Sequence, residues 1–283
     1  MARPRFAFWL LACVVSSALA QTAPSRDLKS QAWQILQEGV SHEKTEPRAT
    51  AVRVLSLLRG EPEAVKLASA ALSDPKPEVR TAAAMALGQL QARSAIPQLR
   101  QLMGDKEIQV VLAAAHSLLL MKDERGYDVY FAVLTGKRKG AGLISEQLDT
   151  LKDTKKMATM GFEEGIGFIP FASVGYSAVR TIMKDDASPV RAAAARVLAD
   201  DPDPNTEDAL AGIATHDKSE VVRAAALDAI ARRNHFQMLE QIVPLMSDNN
   251  DHVKYTAAAA VLRLTKLAKK SAPKPARASA AQH

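Results

Sequence analysis

Apolar positions along this chain recur at helical rather than strand spacing. After Pro77, residues Val79, Ala83, Ala86, Leu87 and Leu90 fall three or four apart, or side by side, and mark one face of a helix. Ile96, Leu99, Leu102 and Met103 repeat the spacing and predict a second helix. Gly88 and the polar run from Gln91 to Ser94 are expected to loosen the end of the first. Asp74 is expected to supply N-terminal capping chemistry, as the Ser188-Pro189 pair would in a later segment. Two helices of about 12 residues, each about 18 Å long, make a hairpin. Its many alanines let neighbouring axes approach towards the lower end of the usual range of about 8–10 Å.

The hairpin recurs. Five segments carry an Asp, then a Val five residues on, usually a basic residue, and an alanine-rich helix. They begin at Asp74-PKPE-Val79-Arg80, Asp105-KEIQ-Val110-Val111, Asp185-DASP-Val190-Arg191, Asp217-KSEV-Val222-Arg223 and Asp248-NNDH-Val253-Lys254. A weaker sixth copy lies at Pro47-Arg48. The positions equivalent to the valine are 47, 79, 110, 190, 222 and 253, so successive intervals are 32, 31, 80, 32 and 31 residues. A regular period of this length signals a solenoid, in which no hairpin buries enough apolar surface alone and stability comes from neighbour interfaces. The expected fold is therefore an all-α solenoid of about six hairpins with an irregular insertion. Its expected parts are a signal peptide (1–20), a lead-in helix (21–39), repeats (40–135), an interruption (136–176), further repeats (177–266) and a disordered basic tail (267–283).

The Asp-x4-Val-Arg-x-Ala-Ala-Ala pattern resembles the HEAT-like repeats of the phycobilisome-lyase type, over about residues 40–265 with one gap. The resemblance implies that the repeated Asp and Arg bridge adjacent repeats. Here it points to Asp74, Asp185, Asp217 and Asp248 pairing with Arg80, Arg191, Arg223 and Lys254. The third copy departs, with Val111 in the arginine slot. Exposed pairs of this kind contribute about 0–1 kcal/mol, so their expected role is to set register. Deoxyhypusine hydroxylases, also HEAT-like, bind two irons through repeated His-Glu pairs, whereas His42-Glu43 is the only such pair in this chain. Bilin lyase chemistry is the enzymatic alternative, but the repeat signature alone does not carry it.

The 80-residue interval breaks the period. Seven of the ten aromatic residues beyond residue 20 fall between Tyr127 and Tyr176. Tyr127 to Leu134 reads as the second helix of the third repeat. A basic glycine-rich loop follows from Gly136 to Gly142, without the spacing of a phosphate-binding loop. Helices are expected at Leu143–Met160 and Phe171–Met183. Phe162, Phe168, Phe171 and Tyr176 either fill a wider local core or form a partner-binding surface, because insertions in solenoids often collect on the binding face. Glu163 and Glu164 count against a third reading, a membrane-inserting hairpin.

The N-terminus adds a compartment. Arg3 and Arg5 precede an apolar run from Phe6 to Val15, and Ala18-Leu19-Ala20 offers a signal-peptidase site, so export to the periplasm or beyond is expected. Cys13, the only cysteine, stands in a poor lipoprotein context, so lipidation there is not expected and the mature chain would hold no thiol. The formal charge is +6; removing Arg3 and Arg5 leaves +4, and the five cations from Lys266 to Arg277 leave the body near −1. That balance argues against a nucleic-acid-binding body. The tail cations could touch anionic envelope components. His216 and His252 read as exposed or capping residues and His116 as a packing residue. Neither Asp200–Asp203 nor Asp248–Asp251 has the spacing of a calcium loop. The composite expectation is a non-catalytic scaffold without cofactor or metal, binding another protein over an extended surface. The alternative is an enzyme or enzyme subunit, lyase-like, with a pocket at residues 136–176.

Overall fold

A computed structural model describes residues 23–135 and 188–271. Every regular element among them is helical: α1 (Ala23–Val40), α2 (Thr45–Val54), α3 (Pro62–Ala71), α4 (Pro77–Leu90), α5 (Ile96–Leu102), α6 (Ile108–Leu120), α7 (Gly126–Thr135), α8 (Ser188–Val197), α9 (Asn205–His216), α10 (Glu220–Arg233), α11 (Leu239–Ile242) and α12 (Asp251–Ser271). A 3-10 turn, Leu55–Leu57, extends α2. The valine-register helices α2, α4, α6, α8, α10 and α12 are the first, or A, helices of six hairpins. The helix expected at the end of the third repeat is α7.

Local chemistry sets the ends. Pro62 and Pro77 open α3 and α4 at the first turn, where a missing N–H costs nothing. Asp74 is not the cap of α4: its Oδ1 accepts the Lys76 amide at 2.8 Å, in the turn before the helix. Gly60, Gln91, Lys122 and Asn234 take left-handed backbone (φ 78°, 57°, 63° and 61°) and turn the chain out of α2, α4, α6 and α10. Gly88 does not break α4, which runs past it to Leu90. A Cβ there would lie 2.5 Å from Ser117 Oγ and 2.9 Å from Ser117 Cα, so glycine permits the close approach of α6. Ser117 Oγ completes that contact by donating to the Ala84 carbonyl at 2.8 Å.

The A helices do not stack in chain order. They pack side by side as α8, α10, α12, α2, α4 and α6, so the array runs from residue 188 to 271 and continues at residue 45. The helix expected to lead into the repeats is instead their seam. α1 packs against both α12 and α2, in the place of the second, or B, helix that α12 lacks. Ala32 and Leu36 of α1 are fully buried there. The Cβ position of Gly39 lies 2.8 Å from the Tyr255 ring, so α1 runs antiparallel to α12 as a hairpin partner should. The 3-10 turn after α2 also touches α10 across the front of α12. Residues Ala257 to Val261, and Leu264, are consequently fully buried on every side of the helix. α12 runs on to Ser271, five residues into the segment expected to be disordered.

Candidate partner-binding surface

Two edges and one uncovered face of the A-helix row present the polar groups. At the edge where the A helices begin, arginines and aspartates form a ladder. Arg48 grips Asp74 through Nε (2.8 Å) and Nη2 (3.1 Å), and Arg80 grips Asp105 through Nε and Nη2 at 2.8 Å each. Arg191 pairs with Asp217, and Arg223 Nη2 lies 3.2 and 3.3 Å from the two Asp248 oxygens. Each arginine therefore reaches the aspartate of the following loop, 25 or 26 residues on, and the side chains of Arg80 and Arg223 do so in place of the aspartates that open their own repeats. Arg48, Arg80 and Arg223 also bind their own loops through main-chain carbonyls, as Arg80 Nη1 does with Asp74 O (2.9 Å) and Arg223 Nη1 with Asp217 O (3.0 Å). Each aspartate in turn accepts the amide two residues on (Lys76, Glu107, Ser219 and Asn250). Asp74 shows the electrostatic result. Burial alone would raise its pKa, but the Arg48 hydrogen bond, the Lys76 amide and the charges of Arg48 and Arg80 together hold it below the usual value. Asp217 is also lowered, first by the Ser219 amide and then, against desolvation, by Arg191.

The seam has no rung. Lys254 occupies the arginine slot of α12 and pairs with Asp251 of its own turn at 2.6 Å. His42 occupies the aspartate slot, and its Nδ1 accepts the Lys44 amide at 3.0 Å as an aspartate oxygen would. The seam is tied at the opposite edge instead. Arg263 Nη1 donates to Leu57 O (2.8 Å) and its Nε to Asn234 Oδ1 (2.9 Å). Lys266 Nζ reaches Gly60 O (3.0 Å) and Glu61 (2.8 Å). Asp185 of the expected ladder lies outside the described residues, and so do Phe162, Phe168, Phe171, Tyr176 and the whole of 136–176.

The face of the A helices that no B helix covers carries a short stripe on each helix except the buried α12. On α4 it consists of Glu78, Met85 and Gln89, and on α6 of Gln109, Leu112 and His116. The residue six past the register valine recurs on this stripe as Arg53, Met85, His116, Arg196 and Asp228, a set readable by aligning the copies but not singled out from the sequence, whereas Ala259 at that position of α12 is fully buried. His252 departs from the exposed role expected for it. Burial, then the charges of Arg53 and Arg196, push its pKa down to about 4, with Glu220 opposing them. The imidazole is therefore neutral at pH 7. Neither Arg53 nor Arg196 has an acidic ion-pair partner among the described residues. His216 is exposed at the end of α9, its Nδ1 2.6 Å from Thr215 Oγ1. The aspartates at 201 and 203 cap turns, accepting from Thr206 Oγ1 (2.5 Å) and the Asn205 amide (2.9 Å).

These features define an all-α repeat protein whose hairpins are clamped by charge pairs. The chain belongs to the HEAT repeat family, whose profile matches residues 18–125 and 176–263. Among solved structures it is similar to the CpcE–CpcF complex of phycocyanin lyase from Nostoc sp. PCC7120, at 19% identity over 84% of this chain and 94% of that one (TM-score 0.33). It is similar to human deoxyhypusine hydroxylase at 16% identity, covering 86% and 98% (TM-score 0.33). A designed armadillo repeat protein matches at 18% identity, covering 84% and 99% (TM-score 0.25). No curated protein sequence matches the chain. No described helix is long and apolar enough to cross a membrane.

Proposed function

We propose that the protein is a non-catalytic scaffold of the cell envelope that binds another protein along the uncovered face of its A helices. The observation that carries this reading is the spacing of the side chains on that face. Glu78, Met85 and Gln89 on α4 and Gln109, Leu112 and His116 on α6 are spread one helix apart, about 10 Å at each step, along a rigid row. Such spacing suits many modest contacts with a macromolecule rather than convergence on one reacting bond. The compartment rests on the leader sequence. α1 begins at Ala23, so cleavage after Ala20 would leave every described contact in place.

A photo-reactive side chain at Met85 or Gln109 tests the surface in living cells. One defined partner should crosslink from both positions and not from the exposed Lys66 on the B-helix side. Crosslinks that arise only from Lys66, or only from residues 136–176, would refute this surface as the binding face.

A further inference from the structure

We infer that the edge of the array where the A helices end is a docking edge for an anionic phospholipid surface. Along it, in stack order, stand Arg232 at the end of α10, Lys266 and Lys269 on α12, Arg59 after α2, Arg93 after α4, and Lys122 and Arg125 after α6. All seven are exposed. Arg232 and Lys266 pair with Asp228 and Glu61 at 2.8 Å each. The side chains of Arg59, Arg93, Lys122, Arg125 and Lys269 have no acidic partner among the described residues.

The acids on this edge do not cancel the row. Glu61 is held by Lys266 and Asp123 is buried against Arg100 at 2.5 Å, which leaves the exposed Asp27, Glu124 and Glu240 against the five unpaired cations. Beyond α8 the edge turns acidic, with Asp200, Asp201 and Asp203, so the basic row covers five of the six hairpins and stops. The seam sets its alignment. Arg263 and Lys266 tie the ends of α10, α12 and α2 together, and Gln91 Nε2 donates to Leu120 O at 3.1 Å to tie α4 to α6.

Both ends of the described chain lie on this edge. α1 is antiparallel to α12, so Ala23 lies near the end where α12 finishes at Ser271. The sequence beyond Ser271 adds Lys274 and Arg277 and no acid. The basic tail thus leaves from the edge that carries the unpaired cations. A row of cations fits a charged plane better than a concave ligand. Each basic residue near an anionic leaflet strengthens binding by roughly fivefold, within a screening length of about 10 Å at 0.1 M salt.

The test is co-flotation of residues 21–283 with vesicles of phosphatidylcholine alone or with 25% phosphatidylglycerol, in 0.1 M and 0.5 M salt. The edge variant reverses four cations: Arg59→Glu, Arg93→Glu, Lys122→Glu and Arg125→Glu. Its control makes the same change in charge on the opposite edge, at the exposed Lys44, Lys76, Lys106 and Lys218. Binding should need phosphatidylglycerol, fade at 0.5 M salt, fall more than tenfold in the edge variant and persist in the control. Truncation after Ser271 should weaken binding without abolishing it. Equal loss in both variants would reduce the effect to net charge, and loss only on truncation would assign it to the tail; either overturns the inference. Tighter binding to a polyanion such as single-stranded RNA than to the vesicles would overturn it too. Should the fourfold variant fail to fold, Arg93→Glu and Lys122→Glu singly must each show a smaller loss of the same kind.

Discussion

Replacing Arg80 by Met should be among the most damaging single changes in the ladder. The two side chains of the Arg80–Asp105 pair are each only 9% exposed, and two parallel bonds of 2.8 Å join them. Arg80 Nη1 also binds Asp74 O and Pro75 O, at 2.9 and 3.2 Å. Methionine keeps much of the stem volume but removes both guanidinium bonds to the Asp105 carboxylate, which retains the Glu107 amide at 2.9 Å. Leaving one member of a buried pair unpaired costs about 3–5 kcal/mol, and the surviving amide places this case near the lower end, about 3 kcal/mol. Lysine keeps the charge but not the fork, so Arg80→Lys should recover only part of that loss. Arg191→Met removes a pair whose arginine is 41% exposed and should cost at most about 1 kcal/mol. The double change Arg80→Met with Asp105→Leu should cost clearly less than the two single changes added together. Urea unfolding followed by circular dichroism at 222 nm gives the totals, with hydrogen exchange to detect piecewise unfolding of the array. The reasoning fails if Arg80→Met costs no more than Arg191→Met, or if the double change is additive.

Gly88→Val should destabilise by roughly 2 kcal/mol, because overpacking against Ser117 outweighs the gain in helix propensity. Chemical denaturation is again the measure, and a neutral result would mean that α4 and α6 separate readily. His252 makes stability depend on pH. Its folded pKa near 4 lies below the ordinary value of 6.5, so the unfolded chain binds more protons between them. The associated stability is present above pH 6.5 and lost as pH falls towards 4, on the order of 3 kcal/mol in all. His116, lowered by burial, acts in the same direction, whereas Asp74 and Asp217 act only below about pH 3.8. Replacing His252 by Gln should flatten the melting temperature between pH 6.5 and 4 relative to the parent; an unchanged slope would refute this assignment.

The repeat was legible because helix spacing and the Asp-to-Val interval are local, and they place all six A helices at the register positions. Pairing across repeats was less legible, since Arg80 stands close in sequence to Asp74 yet its side chain reaches Asp105. The role of α1 left no repeat signature. Residues 23–40 announce a helix but not that its partner lies more than 200 residues on. One signal did exist. The two copies flanking the seam are those in which Lys254 replaces the arginine and no aspartate precedes Pro47, while Val111 stands in the copy next to the interruption. Departures from the ladder therefore mark where the array is discontinuous in sequence. The aromatic candidates Phe162, Phe168, Phe171 and Tyr176 stand as the sequence left them, outside the described residues.

Circular permutation tests the central claim, that the array runs unbroken from α12 through α1 into α2. A chain that begins at residue 136, runs to Ser271, passes through a six-residue glycine–serine linker to Ala23 and ends at Thr135 keeps every described helix and opens only the connection after α7. If α1 completes the hairpin of α12, this permutant will fold with the parent helix content and melt within a few degrees of it. If the first and last helices instead lie at opposite ends of an open array, so short a linker cannot join them, and the permutant will be unfolded or will lose one half of its array.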